Sequence, residues 1–169
     1  LVGSEMFIRD RYNVKATFFV VGKEDEESQE MYKRIVNEGH TLGMHSYSHQ
    51  YKEIYQSMDA FQADYERISN CLTAATGIKP LYYRFPGGST EVTEKLQMTD
   101  LDAYFNAQGA SYFDWNVIAA NNTTDDVSVN KMVDSVMNGV ALYDTSIVLM
   151  YDSVDRKMTA KSLDSILDY

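Results

Sequence analysis

Along the chain, short runs of consecutive apolar residues alternate with longer stretches in which apolar positions recur every three or four residues. Runs of the first kind suit buried strands and those of the second suit amphipathic helices, so the alternation predicts an α/β layered domain with a mostly parallel sheet. Lys15-Ala-Thr-Phe-Phe-Val-Val-Gly22 reads as the first strand, closed by Gly22 and by the acidic run Glu24 to Glu27, which reads as a solvated turn. From Ser28 to Glu38 the residues Met31, Ile35 and Val36 fall at helical spacing, with Ser28 the candidate N-cap and Gly39 the candidate stop. A second strand is predicted over His40 to Met44, a long helix over Met58 to Ala75 ended by Gly77, and a short strand over Leu81 to Phe85. Tyr112 to Val117 and Ser146 to Met150 read as strands on either side of a helix from Ser128 to Val140, and Ala160 to Tyr169 as a last helix. Two prolines and no Gly/Ser-rich tract offer no linker, so a single domain over residues 1–169 is expected.

Composition narrows the partners. A formal charge of -10 argues against nucleic acid or anionic lipid, both of which need a basic footprint, and suits a neutral or cationic substrate. Apolar runs such as Ala16 to Val21 are far too short to span a bilayer. Residues 1–20 lack the order of a signal peptide, which is a basic start, a long apolar centre and a small-residue cleavage site. The single Cys71 cannot form an internal disulfide and reads as a buried structural thiol. Nothing in the pattern sets an oligomeric state.

Chemistry concentrates where predicted strands end, the place where open α/β sheets put their ligands. His45 and His49 form an HxxxH pair, which puts both imidazoles on one side if the segment is helical or turns tightly. The alternative is two polar histidines in a loop. Arg84 runs into Phe85-Pro86-Gly87-Gly88. It is either an ion-paired arginine at a surface turn or one that orients a carboxylate while backbone N–H groups near Gly87 face a developing oxyanion. Asp114-Trp115 couples a carboxylate to an aromatic able to stack on a sugar ring, or is a capping Asp beside a core tryptophan. Tyr151, after Leu149-Met150, stands at another strand end, where a structural hydrogen bonder is the ordinary reading.

Taken in order, Ala16-Thr-Phe-Phe-Val20, Glu38-Gly-His-Thr-Leu-Gly-Met-His-Ser-Tyr-Ser-His49, Arg84-Phe-Pro-Gly-Gly88, Asp114-Trp115 and Leu149-Met-Tyr-Asp152 resemble the NodB-like polysaccharide deacetylase family, carbohydrate esterase family 4. The resemblance implies an incomplete, distorted (β/α) barrel. It also implies hydrolysis of an N-acetyl or O-acetyl group on a carbohydrate polymer such as peptidoglycan or chitin-like N-acetylglucosamine chains. By the same resemblance His45 and His49 are ligands of a divalent metal, for which nitrogen donors favour zinc. Arg84 and Asp114 take supporting catalytic roles, Tyr151 takes the position of the acid, and Pro86, Gly87, Trp115 and Leu149 take places around the substrate. The partner implied is an acetylated polysaccharide, and the location is extracellular or the cell envelope.

Two departures follow from the same comparison of motifs. The family's third metal ligand and its base are aspartates of a TFDDG motif expected upstream of Ala16, which this sequence does not contain; Asp10 precedes the strand and is no substitute. A chain truncated in this way is expected to be impaired. The family's Leu-x-His reads Leu149-Met150-Tyr151 here. Free Tyr titrates near about 10 against about 6.5 for His, so a Tyr is the poorer proton shuttle at neutral pH. That change favours the alternative of a non-catalytic, deacetylase-like domain that holds a glycan. Residues 1–11 fit the family poorly; they are either a translated adapter-like string or a divergent native helix, to which Met6, Phe7 and Ile8 give partial support.

Overall fold

The computed structural model describes residues 12–120, 127–152 and 157–168, so the reading of residues 1–11 lies outside it. The described residues fall into two compact units, Lys15–Asp114 and the described parts of Leu1–Val14 with Trp115–Tyr169. In the first unit four parallel strands stand in chain order: β1 (Thr17–Val21), β2 (Thr41–Ser46), β3 (Tyr82–Tyr83) and β4 (Ser111–Tyr112). Between them run helices α1 (Glu26–Asn37), α2 (Tyr51–Ile54), α3 (Met58–Thr76) and α4 (Met98–Gln108). This is the expected α/β alternation with a parallel sheet.

Several boundaries differ for identifiable reasons. Helix α1 starts inside the acidic run, because Asp25 rather than Ser28 is its N-cap. The Asp25 carboxylate accepts from the Ser28 N–H at 2.9 Å and the Ser28 hydroxyl at 2.8 Å. Strand β2 continues past Met44 to Ser46, since Val21 of β1 still pairs with Ser46 after a register shift. Helix α4 lies in a stretch to which the hydrophobic pattern assigns no element. It buries only Leu101 and Phe105, one turn apart, too narrow a stripe to stand out in sequence. Cys71 is half-buried rather than buried, with its sulfur 3.4 Å from the Lys23 carbonyl oxygen.

The core of this unit is aromatic. Tyr83, followed two residues later by Phe85, points from the sheet onto Phe61 and Tyr65 of α3 and Phe105 of α4. Ring centroids lie 5.3 Å apart for Tyr83 and Phe85, 5.8 Å for Phe61 and Phe85, and 5.4 Å for Tyr83 and Phe105, the spacing of favourable tilted and edge-on pairs. Among the described residues the buried hydroxyls of Tyr65 and Tyr83 find no hydrogen-bond partner.

In the second unit β5 (Val117–Ile118) pairs in parallel with β6 (Val148–Leu149), and α5 (Val129–Val140) packs on β5 and on α6 (Lys157–Leu167). Ser128 caps α5 as expected, its hydroxyl accepting from the Lys131 N–H. Asn116 staples the strands: its amide donates to the Thr145 carbonyl at 3.0 Å while its side-chain oxygen accepts from the Ile147 N–H at 2.7 Å. No described helix is long and apolar enough to cross a membrane.

The unpartnered hydroxyl makes a specific expectation for the core. Tyr83→Phe removes a desolvated donor at little cost in packing and should leave stability unchanged or raised, whereas Phe61→Ala should lose about 3–5 kcal/mol. Urea unfolding of the two variants checks both, and a large loss on Tyr83→Phe would contradict the assignment.

Candidate functional site

The C-terminal ends of β2, β3 and β4 lie side by side, because Met44 pairs with Tyr83 and Tyr83 pairs with Tyr112. The same edge therefore carries His45 and Ser46, the last residues of β2, with Arg84 to Gly88 following β3 and Phe113 and Asp114 following β4. Polar contacts then pass from strand to strand. His45 Nδ1 lies 2.7 Å from the Arg84 carbonyl oxygen, and Arg84 Nε donates to the Phe113 carbonyl at 3.0 Å. Arg84 Nη2 reaches the Asp114 carbonyl at 3.3 Å, and its guanidinium lies 4.3 Å from the centroid of the Phe19 ring.

A carbonyl oxygen only accepts, so the His45–Arg84 contact fixes the proton on Nδ1 and leaves the Nε2 lone pair as the ring's ligating atom. Burial pushes the His45 pKa down to about 4; the Arg84 carbonyl opposes this, and the charges of His49 and Arg84 reinforce it. His49, more exposed, is also lowered by desolvation, against the pull of the Asp64 carboxylate. Both rings are thus neutral imidazoles near neutral pH, the form that can donate a lone pair. Their centroids are 5.1 Å apart with a 47° tilt. The HxxxH pair achieves this without a helix: His45 is a strand residue and His49 sits in a tight turn with φ 55°.

The turn is braced by packing on Tyr47. Its ring lies close against Gly22, where a Cβ would stand 2.5 Å from the ring, and the Arg67 guanidinium lies over it at 3.7 Å from the centroid. The Tyr47 hydroxyl donates to Glu24 at 2.7 Å. Tyr51, at the start of α2, places its ring 5.1 Å from that of His49.

Arg84 is buried, not the surface arginine of the simpler alternative, and these donors hold backbone carbonyls. Asp114 is held by Ser89, whose N–H donates to Oδ1 at 3.0 Å and whose hydroxyl donates to Oδ2. That pairing ties β4 to the loop after β3. Pro86 is buried with its carbonyl accepting from the Tyr55 hydroxyl at 2.9 Å, while Gly87 is exposed at φ 79°. A side chain at Gly87 would be strained by that φ and would meet Glu91 at 2.6 Å. Trp115, Leu149 and Tyr151 belong to the other unit. There Trp115 and Tyr151 are half-buried, and Leu149 is buried on β6 opposite Ile118. Sequence reasoning passed over Asp64 and Tyr55, which bond backbone groups, and Ser89, which bonds the Asp114 carboxylate; none carries a motif of its own.

The family model described as Polysaccharide deacetylase matches residues 8–105. A peptidoglycan-N-acetylglucosamine deacetylase of Bacillus cereus is 29% identical over 75% of this chain and 46% of its own length. One of Listeria monocytogenes is 30% identical over 93% of this chain and 30% of its own length, so the chain spans less than half of these relatives. The crystal structure of the catalytic domain of a peptidoglycan N-acetylglucosamine deacetylase from Eubacterium rectale superposes with a TM-score of 0.86 at 32% identity, covering 98% of this chain and 76% of that one.

Two expectations come from this geometry. A ring titration of His45 by NMR should show a midpoint near 4 rather than 6.5. Because the unfolded chain takes up that proton first, stability should fall as pH drops from 6.5 towards 4, a window absent if His45 titrates normally. Gly22→Ala should push Tyr47 off its seat and lose about 1–3 kcal/mol, with amide shifts confined to the His45–His49 turn. An unshifted turn would show that Gly22 is not its support.

Proposed function

Because the chain belongs to the polysaccharide deacetylase family, we propose that it derives from a metal-dependent hydrolase removing acetyl groups from an envelope or extracellular polymer such as peptidoglycan, and that as it stands it is impaired. The observation that carries the metal reading is the pair of neutral imidazoles, one with its tautomer set by the Arg84 carbonyl. Two nitrogen donors fit zinc as part of a site. Among the described residues no group of three His, Cys, Asp or Glu stands together to complete it. A bound ion would supply polarisation of the acetyl carbonyl and a water of lowered pKa.

The other parts position. Arg84 holds the end of β4 through two carbonyls, and the Ser89–Asp114 pair holds the loop whose exposed Gly87 leaves backbone accessible to an acetyl oxygen. Trp115 and Leu149 are proposed to line the substrate. Tyr151 at the acid's position favours the second reading, a domain that holds a glycan without turning it over.

With two nitrogen donors in hand, zinc binding should be weak, and acetate release from N-acetylglucosamine oligomers slight or nil. Calorimetric titration with zinc and an acetate assay test this together. Tight stoichiometric zinc accompanied by acetate release would refute the impairment; oligomer binding without acetate would select the glycan-holding reading.

A further inference from the structure

We propose that Asp64, on α3, is the positioning residue that holds the histidine turn in its ligand-bearing shape. After β2 ends, the backbone N–H groups of residues 47–49 point away from the sheet ladder and need other acceptors. Asp64 supplies them. Its Oδ2 accepts from the Ser46 hydroxyl at 2.8 Å and the Tyr47 N–H at 2.9 Å, and its Oδ1 accepts from the Ser48 N–H at 2.9 Å. The Ser46 oxygen in turn accepts from the His49 N–H at 2.8 Å, so one carboxylate satisfies the whole turn, directly or through one hydroxyl. Bonds to an ionised acceptor are short and strong, and His49, a non-glycine residue at φ 55°, needs such a surround to stay in the left-handed region. Asp64 touches neither imidazole by hydrogen bond; it acts on the backbone that aims them.

The inference rests on the reading of His45 and His49 as metal ligands, and the experiment separates the two. Asp64→Asn keeps the shape but turns one acceptor into a donor, which must face either the Tyr47 or the Ser48 N–H. In the full chain this variant should speed amide exchange at Tyr47, Ser48 and His49 and weaken zinc binding by about tenfold or more, the usual effect of losing a group that orients ligands. Asp25→Asn, the same chemical change at a remote helix cap, should change neither. Unchanged exchange, or faster exchange with unchanged zinc affinity, overturns the role of Asp64. If the unsubstituted chain takes up no zinc, the metal reading fails and Asp64 stands or falls on the exchange rates alone. Should Asp64→Asn not fold, Ser46→Ala, which cuts only the relay to His49, is expected to speed exchange at His49 and weaken zinc binding, and its failure to do so counts against the proposal.

Discussion

The hydrogen bond from His45 Nδ1 to the carbonyl oxygen of Arg84, 2.7 Å long, is the contact on which the rest of the site depends. It exists because β2 and β3 run parallel in a register that pairs Met44 with Tyr83, which brings the next residue of each strand level at the same edge. It fixes a tautomer, and so decides which imidazole nitrogen is free. Burial of the same ring keeps it neutral, so the lone pair remains available as pH falls well below neutrality. Arg84 extends the arrangement to β4 through the Phe113 carbonyl, and Asp114 returns it to the loop after β3 through Ser89. The site is a hydrogen-bonded ladder continued past the ends of the strands.

That continuation depends on an aromatic wall behind it. Tyr83 and Phe85 flank Arg84 in sequence, and both are fully buried against α3 and α4, so the alternation of a strand turns Arg84 to the opposite face. Packing on one side of β3 therefore sets the direction of the polar group on the other. The same helix α3 that contributes Phe61 and Tyr65 to the core contributes Asp64 to the histidine turn, three residues from one and adjacent to the other. Core packing and ligand geometry are coupled through a single helix.

What the sequence discloses is local. The Ser128 cap and the stop at Gly77 depend on near neighbours and stand where the pattern put them, whereas the run Tyr112 to Val117, which reads as one strand, breaks into β4 (Ser111–Tyr112) and β5 (Val117–Ile118), which pair in different sheets. The histidine pair was legible as a pair, but its means were not: HxxxH suggested a helix or a tight turn, and the answer came from where β2 ends, which is set by pairing with Val21 across the sheet. Asp64 lies 15 residues beyond His49 among other acidic residues of α3, with nothing in sequence to separate it from Asp59 or Glu66. Asp114 lies inside the run Tyr112 to Val117 that reads as a strand, but β4 stops at Tyr112, and its partner Ser89 is found only once β3 and β4 are placed together. Asp25 displaced Ser28 as the α1 cap because a carboxylate can take both donors of Ser28 at once.

Strand register, acting through one carbonyl, presets which nitrogen of His45 carries the proton and which is left free, the nitrogen that the proposed function makes a metal donor. Long-range proton–nitrogen correlation NMR of the neutral His45 ring tests it most directly. The account predicts a protonated Nδ1 coupled through its hydrogen bond to the Arg84 carbonyl carbon, with Nε2 unprotonated. A ring protonated on Nε2, or one exchanging between tautomers, would contradict it.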